Sequence, residues 1–162
     1  MKTPYLKAFI GISAFLLLVC MADPAAAQGR RRSRVRVVTK AEVDRVIKRV
    51  ETQLDRFVGE YDRSLDRSRL DGTDREDWLN KRARDLESAT DELRREFDRR
   101  DSWGENRAEV RRCLNIATDI NKNVRSLRLG PVTEGNWARL RAEFNSLAAV
   151  YGLPAIGSER YK

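Results

Sequence analysis

The 162-residue chain has no histidine, two cysteines, four prolines and nine glycines, and only 7% of its residues are aromatic. Each scarcity excludes something. Without histidine, the commonest general base and metal ligand near neutral pH is missing. Haem ligation through histidine and the Glu-x-x-His pattern of di-iron four-helix proteins are excluded with it. Neither G-x-x-x-x-G-K-[ST] nor G-x-G-x-x-G occurs, so no nucleotide-cradling loop is encoded. Charged residues make up 36% and hydrophobic ones 41%. With so little glycine and proline, that mix fits a heavily charged helical domain.

The N-terminus has the form of an export signal. Lys2 and Lys7 precede the apolar run AFIGISAFLLLVC (8–20), and Pro24 and Ala25-Ala26-Ala27 follow it. A positive start, a short apolar core and an A-x-A end make a secretory signal over residues 1–27, with cleavage expected between Ala27 and Gln28. The run is shorter than the ~20 residues a membrane-spanning helix needs. Two rivals stay open. Leu17-Leu18-Val19-Cys20 is an imperfect lipobox, in which Cys20 would be lipidated. An uncleaved anchor is the other, since the arginines after the run outnumber the lysines before it. A twin-arginine signal is excluded, because its arginines precede the apolar run. After cleavage Cys113 is the one cysteine left, so neither an intramolecular disulfide nor a thiolate zinc site is expected.

The net charge is +8, and five of those charges come from Arg30, Arg31, Arg32, Arg34 and Arg36. Residues 28–38 therefore read as a flexible arginine-rich arm. Guanidinium forks pair well with phosphates and carboxylates. For an exported chain, periplasmic or extracellular, this arm is the candidate anion-binding site. Its expected partners are anionic membrane or envelope polymers, and nucleic acid is not an expected partner. The bland alternative is a linker in a chain that holds 26 arginines against 7 lysines.

The remainder predicts four helices over 39–152, with a C-terminal tail at 153–162. Thr39-Lys40-Ala41-Glu42 is a capping box. Apolar residues then recur at 43, 47, 50, 54, 57, 61 and 65, the spacing of one helical stripe. Leu70-Asp71-Gly72 is the expected end, with Gly72 left-handed. Thr73-Asp74-Arg75-Glu76 opens a second helix with the stripe Leu79, Ala83, Leu86, Thr90, Leu93 and Phe97. Ser102-Trp103-Gly104-Glu105 opens a third, with Val110, Cys113, Ala117, Ile120, Val124 and Leu127. Leu129-Gly130-Pro131 ends it. Thr133 or Glu134 opens the fourth, with Trp137, Leu140, Phe144, Leu147, Ala148 and Tyr151, and Gly152-Leu153-Pro154 closes it. No strand signal appears after the arm. Short connections make sequential helices antiparallel, so the fold class is all-α, an antiparallel up-down-up-down four-helix bundle. Arg-Leu-x7-Trp occurs twice at an offset of 59, at Arg69 to Trp78 and Arg128 to Trp137. This suggests two related helical hairpins with both tryptophans in equivalent places near a bundle end. Amphipathic hairpins align by their stripes alone, so unrelated hairpins remain the alternative.

Chemistry-bearing groups within the helices are few. Cys113 lies on a stripe, which favours core packing over a reactive thiol beside Arg111 and Arg112. Glu51 with Asp55, and Asp62 with Asp66, sit four apart and read as solvated faces in preference to cation sites. Asp44 with Lys48, Asp91 with Arg95, and Glu96 with Arg100 are expected helix pairs worth a few tenths of a kcal/mol. Asn115, Asn121 and Asn145 flank the stripes, as boundary positions or as a polar network. No catalytic residue, metal ligand or cofactor is expected, and the chain reads as a non-enzyme. The second reading is a structural protein that self-associates as a homo-oligomer or binds a helical partner.

The runs SRLDGTDRED (68–77), LRREFDRR (93–100) and NWARLRAEFNSLAAVYGLP (136–154) resemble an uncharacterised group of small exported bacterial proteins. That resemblance spans most of residues 42–154 and excludes the arginine arm. It implies a signal peptide and an all-helical mature chain, and it carries no functional residue.

Overall fold

The structure, a computed structural model, describes residues 38–158. Four helices account for most of them: α1 (Lys40–Asp66), α2 (Asp74–Arg99), α3 (Arg107–Leu127) and α4 (Pro131–Val150). They touch in ring order, α1 on α2, α2 on α3, α3 on α4 and α4 back on α1. The hydrogen bonds between them fix the directions. Arg49 near the start of α1 meets Glu143 near the end of α4, and Ser64 near the end of α1 meets Thr133 at the start of α4. Arg75 meets Asn123 and Arg82 meets Asp119, so α2 and α3 also run oppositely. The result is the antiparallel up-down-up-down bundle, and among the described residues there is no strand.

The stripes become the core. All seven predicted positions of α1 and all six of α2 are buried, as are all six of α4. On α3 only Leu127, at the last turn, is half-exposed. A fully buried Leu or Phe contributes about 1.5–3 kcal/mol. The expected cap at Thr39 forms in full: its hydroxyl accepts the Glu42 N–H at 3.2 Å, and its own N–H donates to the Glu42 carboxylate at 2.9 Å.

Other boundaries differ from expectation. Helix α1 stops at Asp66, before the predicted Leu70-Asp71-Gly72, because its buried stripe ends at Leu65. Gly72 is left-handed as expected (φ 71°), but it shapes the turn into α2. The cap there is half a box: Thr73 accepts the Glu76 N–H, while the Glu76 carboxylate reaches the Gly72 N–H at 2.6 Å. The predicted box at Ser102 does not form. Trp103–Asn106 instead make a 3₁₀ turn, and α3 begins at Arg107. Tertiary contact overrides the local signal: Trp103 meets Tyr151 edge-on at 5.3 Å, and the Tyr151 hydroxyl donates to the Trp103 carbonyl at 2.9 Å.

Pro131 was expected to end the third helix, and it begins the fourth. Proline has no N–H to lose at a first helical position. Gly130, at φ 101°, makes the entry. The left-handed residue that closes α3 is Arg128, at φ 50° and ψ 56°. Residues 153–158 do not leave the bundle: the Ile156 N–H donates to Asn145 at 2.7 Å, and Ile156 joins the core. The two tryptophans of the repeat are not equivalent. Trp137 is 3% exposed against Phe57, whereas Trp78 is 42% exposed beneath Arg75.

Among the described residues, no helix is long and apolar enough to cross a membrane.

Candidate functional site

The predicted anion-binding residues Arg30, Arg31, Arg32, Arg34 and Arg36 lie outside the described residues, as do Cys20 and the cleavage point after Ala27. The described part is nearly neutral, with 24 basic and 23 acidic side chains. The distribution between its hairpins is uneven. Residues 39–102 hold 16 basic and 18 acidic side chains; residues 103–158 hold 8 and 5.

In the first hairpin most cations are tied to carboxylates. Arg94, on α2, lies between two acids of α1, with Asp44 at 2.7 Å and Glu51 at 2.8 Å. Its side chain is only 18% exposed. The bonds to Glu51 and Asp44 hold its pKa above the ordinary arginine value. Lys48, with Arg94 behind it, lowers the Asp44 carboxyl. Arg100 ties Glu96 to Glu109 at 2.8 and 3.1 Å. Two of the three expected helix pairs form, Asp44 with Lys48 and Glu96 with Arg100. Arg95 turns to Glu92 instead of Asp91, one residue nearer on the same face.

The second hairpin is different. Of its eight cations only Lys122 has a carboxylate partner within 4 Å among the described residues. Arg111 and Arg112 border one groove with Arg82, Asp85 and Asn115. A second groove, of about 390 Å³, lies where α3 ends and α4 begins. Arg125 and Arg128 come from one side, and Arg141 and Glu134 from the other. Val124, Trp137 and Ala138 make the floor. Asn121 is buried beneath it. Its side-chain oxygen accepts the Trp137 indole N–H at 3.0 Å and an Arg141 N–H at 3.3 Å.

Sequence reasoning did not find this cluster. Arg125 and Arg141 are sixteen residues apart and meet only because α3 and α4 run oppositely. The available signal was compositional: residues 110–158 hold seven cations and only Asp119, Glu134 and Glu143 as acids. The three asparagines, read as boundary positions or a polar network, take separate roles. Asn121 serves the groove, Asn145 holds Ile156, and Asn115 is exposed.

Cys113 is fully buried, and burial pushes its thiol up to about 12, against the pull of Thr90 and Arg112. It is a core residue. Burial also raises the Tyr61 and Tyr151 hydroxyls to about 12. Glu51 and Asp55 do not form a cation pair, since Glu51 is taken by Arg94. Asp66 lies with Asp71 and Glu76, a carboxylate oxygen of each within 4.8 Å of the others. The Gly72 N–H lowers the Glu76 pKa, but burial and the bond with Asp66 outweigh it and raise the value overall.

No family model matches the chain, and no curated protein or solved structure is significantly similar to it.

Proposed function

We propose that this is an exported, non-catalytic helical-bundle protein whose arginine arm, Arg30 to Arg36, holds it to an anionic surface of the cell envelope. The observation that supports the reading is the charge distribution. The described bundle is balanced to within one charge, and ten of the sixteen cations of its first hairpin sit beside carboxylates. Five of the chain's eight net positive charges therefore fall in residues 28–38. A cation close to an anionic bilayer contributes about 1 kcal/mol, and salt screens that attraction. The resemblance to small exported helical proteins agrees with the export signal, which would deliver the arm to the envelope.

The test is binding of the mature chain to vesicles of anionic or neutral lipid, at low and high salt. A variant with all five arm arginines replaced by glutamine runs beside it. Salt-sensitive binding to anionic vesicles that the variant loses is the expected result. Equal binding by both chains refutes the role of the arm.

The second reading, self-association through the bundle, has one observation in its favour. Trp78 is 42% exposed and Val132 60% exposed, and the topology puts both at the same end of the bundle. Sedimentation over a range of concentrations decides it: a dimer that Trp78→Ser dissolves supports this reading, and a monomer throughout removes it.

A further inference from the structure

We infer that the groove between the end of α3 and the start of α4 is a binding site for an organic phosphate, a phosphate monoester carried on a small apolar or aromatic body. The site uses none of the arm's residues and does not rest on the proposed role of the arm.

The charge comes first. Arg125, Arg128 and Arg141 converge on one groove, and none has a carboxylate within 4 Å among the described residues. In the first hairpin, by contrast, Arg94, Arg99 and Arg100 are held by carboxylates. Glu134 is the only acid on the rim, so the groove carries a net +2. A phosphate monoester is a dianion near neutral pH and offers three terminal oxygens. Three guanidinium forks can each donate to one of them, and this pairing is strong because it is charged and directional. A carboxylate has one charge and two oxygens, and matches less well.

The apolar floor sets the rest of the ligand. Exposed Ala138 lies under the arginines, over the nearly buried Val124 and Trp137. A volume of about 390 Å³ is at the lower end of the range for small-molecule sites. It holds a phosphate together with one ring or a short acyl segment.

Parts of the site are held in place before any ligand arrives. Asn121 is 3% exposed, and its oxygen fixes both the Trp137 indole and the Arg141 guanidinium. Arg128 is the only non-glycine residue with positive φ among the described residues. Left-handed backbone is costly for a residue with a side chain, and such strain collects at functional positions. A cation near the end of α3 also suits that helix's dipole, but the dipole acts within the last turn and does not account for Arg141 on α4.

The experiment is calorimetric titration of the mature chain at low salt with three probes: phenyl phosphate, inorganic phosphate and phenol. The Trp137 indole N–H resonance is followed in parallel. Phenyl phosphate is expected to bind best, inorganic phosphate more weakly and phenol not detectably, with the Trp137 signal shifting. The double variant Arg125→Gln with Arg141→Gln should weaken phenyl phosphate binding by at least about tenfold. Arg128→Gly should weaken it too, while removing the backbone strain, so its loss of binding is not a loss of folding. The chain with the five arm arginines changed to glutamine should bind as the parent does. If that chain loses binding, the arm and not the groove is the phosphate site, and the inference fails. It also fails if the groove variants bind unchanged. Equal affinity for phenyl and inorganic phosphate overturns the organic body.

Discussion

The two hairpins of this bundle have the same shape and use arginine in opposite ways. Between α1 and α2, acids outnumber bases, and ten of sixteen cations sit within 4 Å of a carboxylate. Between α3 and α4, bases outnumber acids, and one of eight is paired. The total charge of the bundle does not reveal this, because the halves cancel to nearly zero. The difference teaches that an arginine-rich helical chain can hold two populations. One population is held by carboxylates, mostly along a single helix, with Arg49, Arg82, Arg94 and Arg100 reaching across to another. The other faces outward with its charge unspent and is the one available to a ligand.

Arg94 should give the largest effect. It crosses from α2 to α1 with two acids in charged hydrogen bonds and stays mostly out of water. Arg94→Ala leaves Asp44 and Glu51 facing each other without their shared cation. Denaturant unfolding should show a loss of about 2–3 kcal/mol. A loss below about 0.5 kcal/mol would mean that the first hairpin is not held by its ion pairs, and the contrast with the second would collapse. Next in size is Arg128→Gly, which should raise stability by about 1 kcal/mol, since glycine accepts φ 50° without the Cβ clash. A decrease would show that the Arg128 side chain supports the fold and is not held there at a cost.

The elements that sequence made legible share one property: their signals are local. The stripe from Val43 to Leu65 follows from a 3.6-residue period, and the Thr39 box needs only residues 39–42. Cys113 was readable as core because it falls on a stripe. The failures involve partners far along the chain. Ser102 has the right spacing for a cap, but the helix start is moved by Tyr151, 48 residues away from Trp103. Pro131 signals a break equally well from either side, and only the path of the chain shows that it starts α4. Trp78 and Trp137 share a motif, yet one is buried beside Phe57 and the other lies exposed under Arg75. The arm was legible as charge. The groove of Arg125, Arg128 and Arg141 was not, because no sequence spacing encodes a meeting of two antiparallel helices.

A smaller effect tests the acid surplus of the first hairpin through pH. Burial is the main reason the Glu87 pKa is raised, with Asp55 and Asp91 adding repulsion and Arg84 opposing. The folded state therefore keeps the Glu87 proton to a higher pH than the unfolded chain does. Its contribution to stability is intact below the unfolded value and is lost as pH rises through the folded one. Glu87→Gln should remove that decline. The variant should be more stable than the parent at pH 7, by roughly 0.5 kcal/mol, and equal to it at acid pH, where both side chains are neutral. An advantage of the variant over the parent that does not grow as pH rises over this range would contradict this.

The smallest expected change lies on the other hairpin, at Arg111. It is exposed on α3 and has no carboxylate within 4 Å among the described residues. Arg111→Gln removes a charge that no other group in the fold uses, and glutamine has nearly the same helix propensity. Unfolding should therefore shift by less than about 0.5 kcal/mol. A small gain is the favoured sign, because the change relieves repulsion from Arg112 beside it and from the other unpaired cations of α3. Set against Arg94, the same residue type on the facing hairpin, this near-zero result is what separates an arginine that builds the bundle from one that the bundle only displays. A loss comparable to that of Arg94 would place Arg111 among the fastening residues and erase the division between the hairpins.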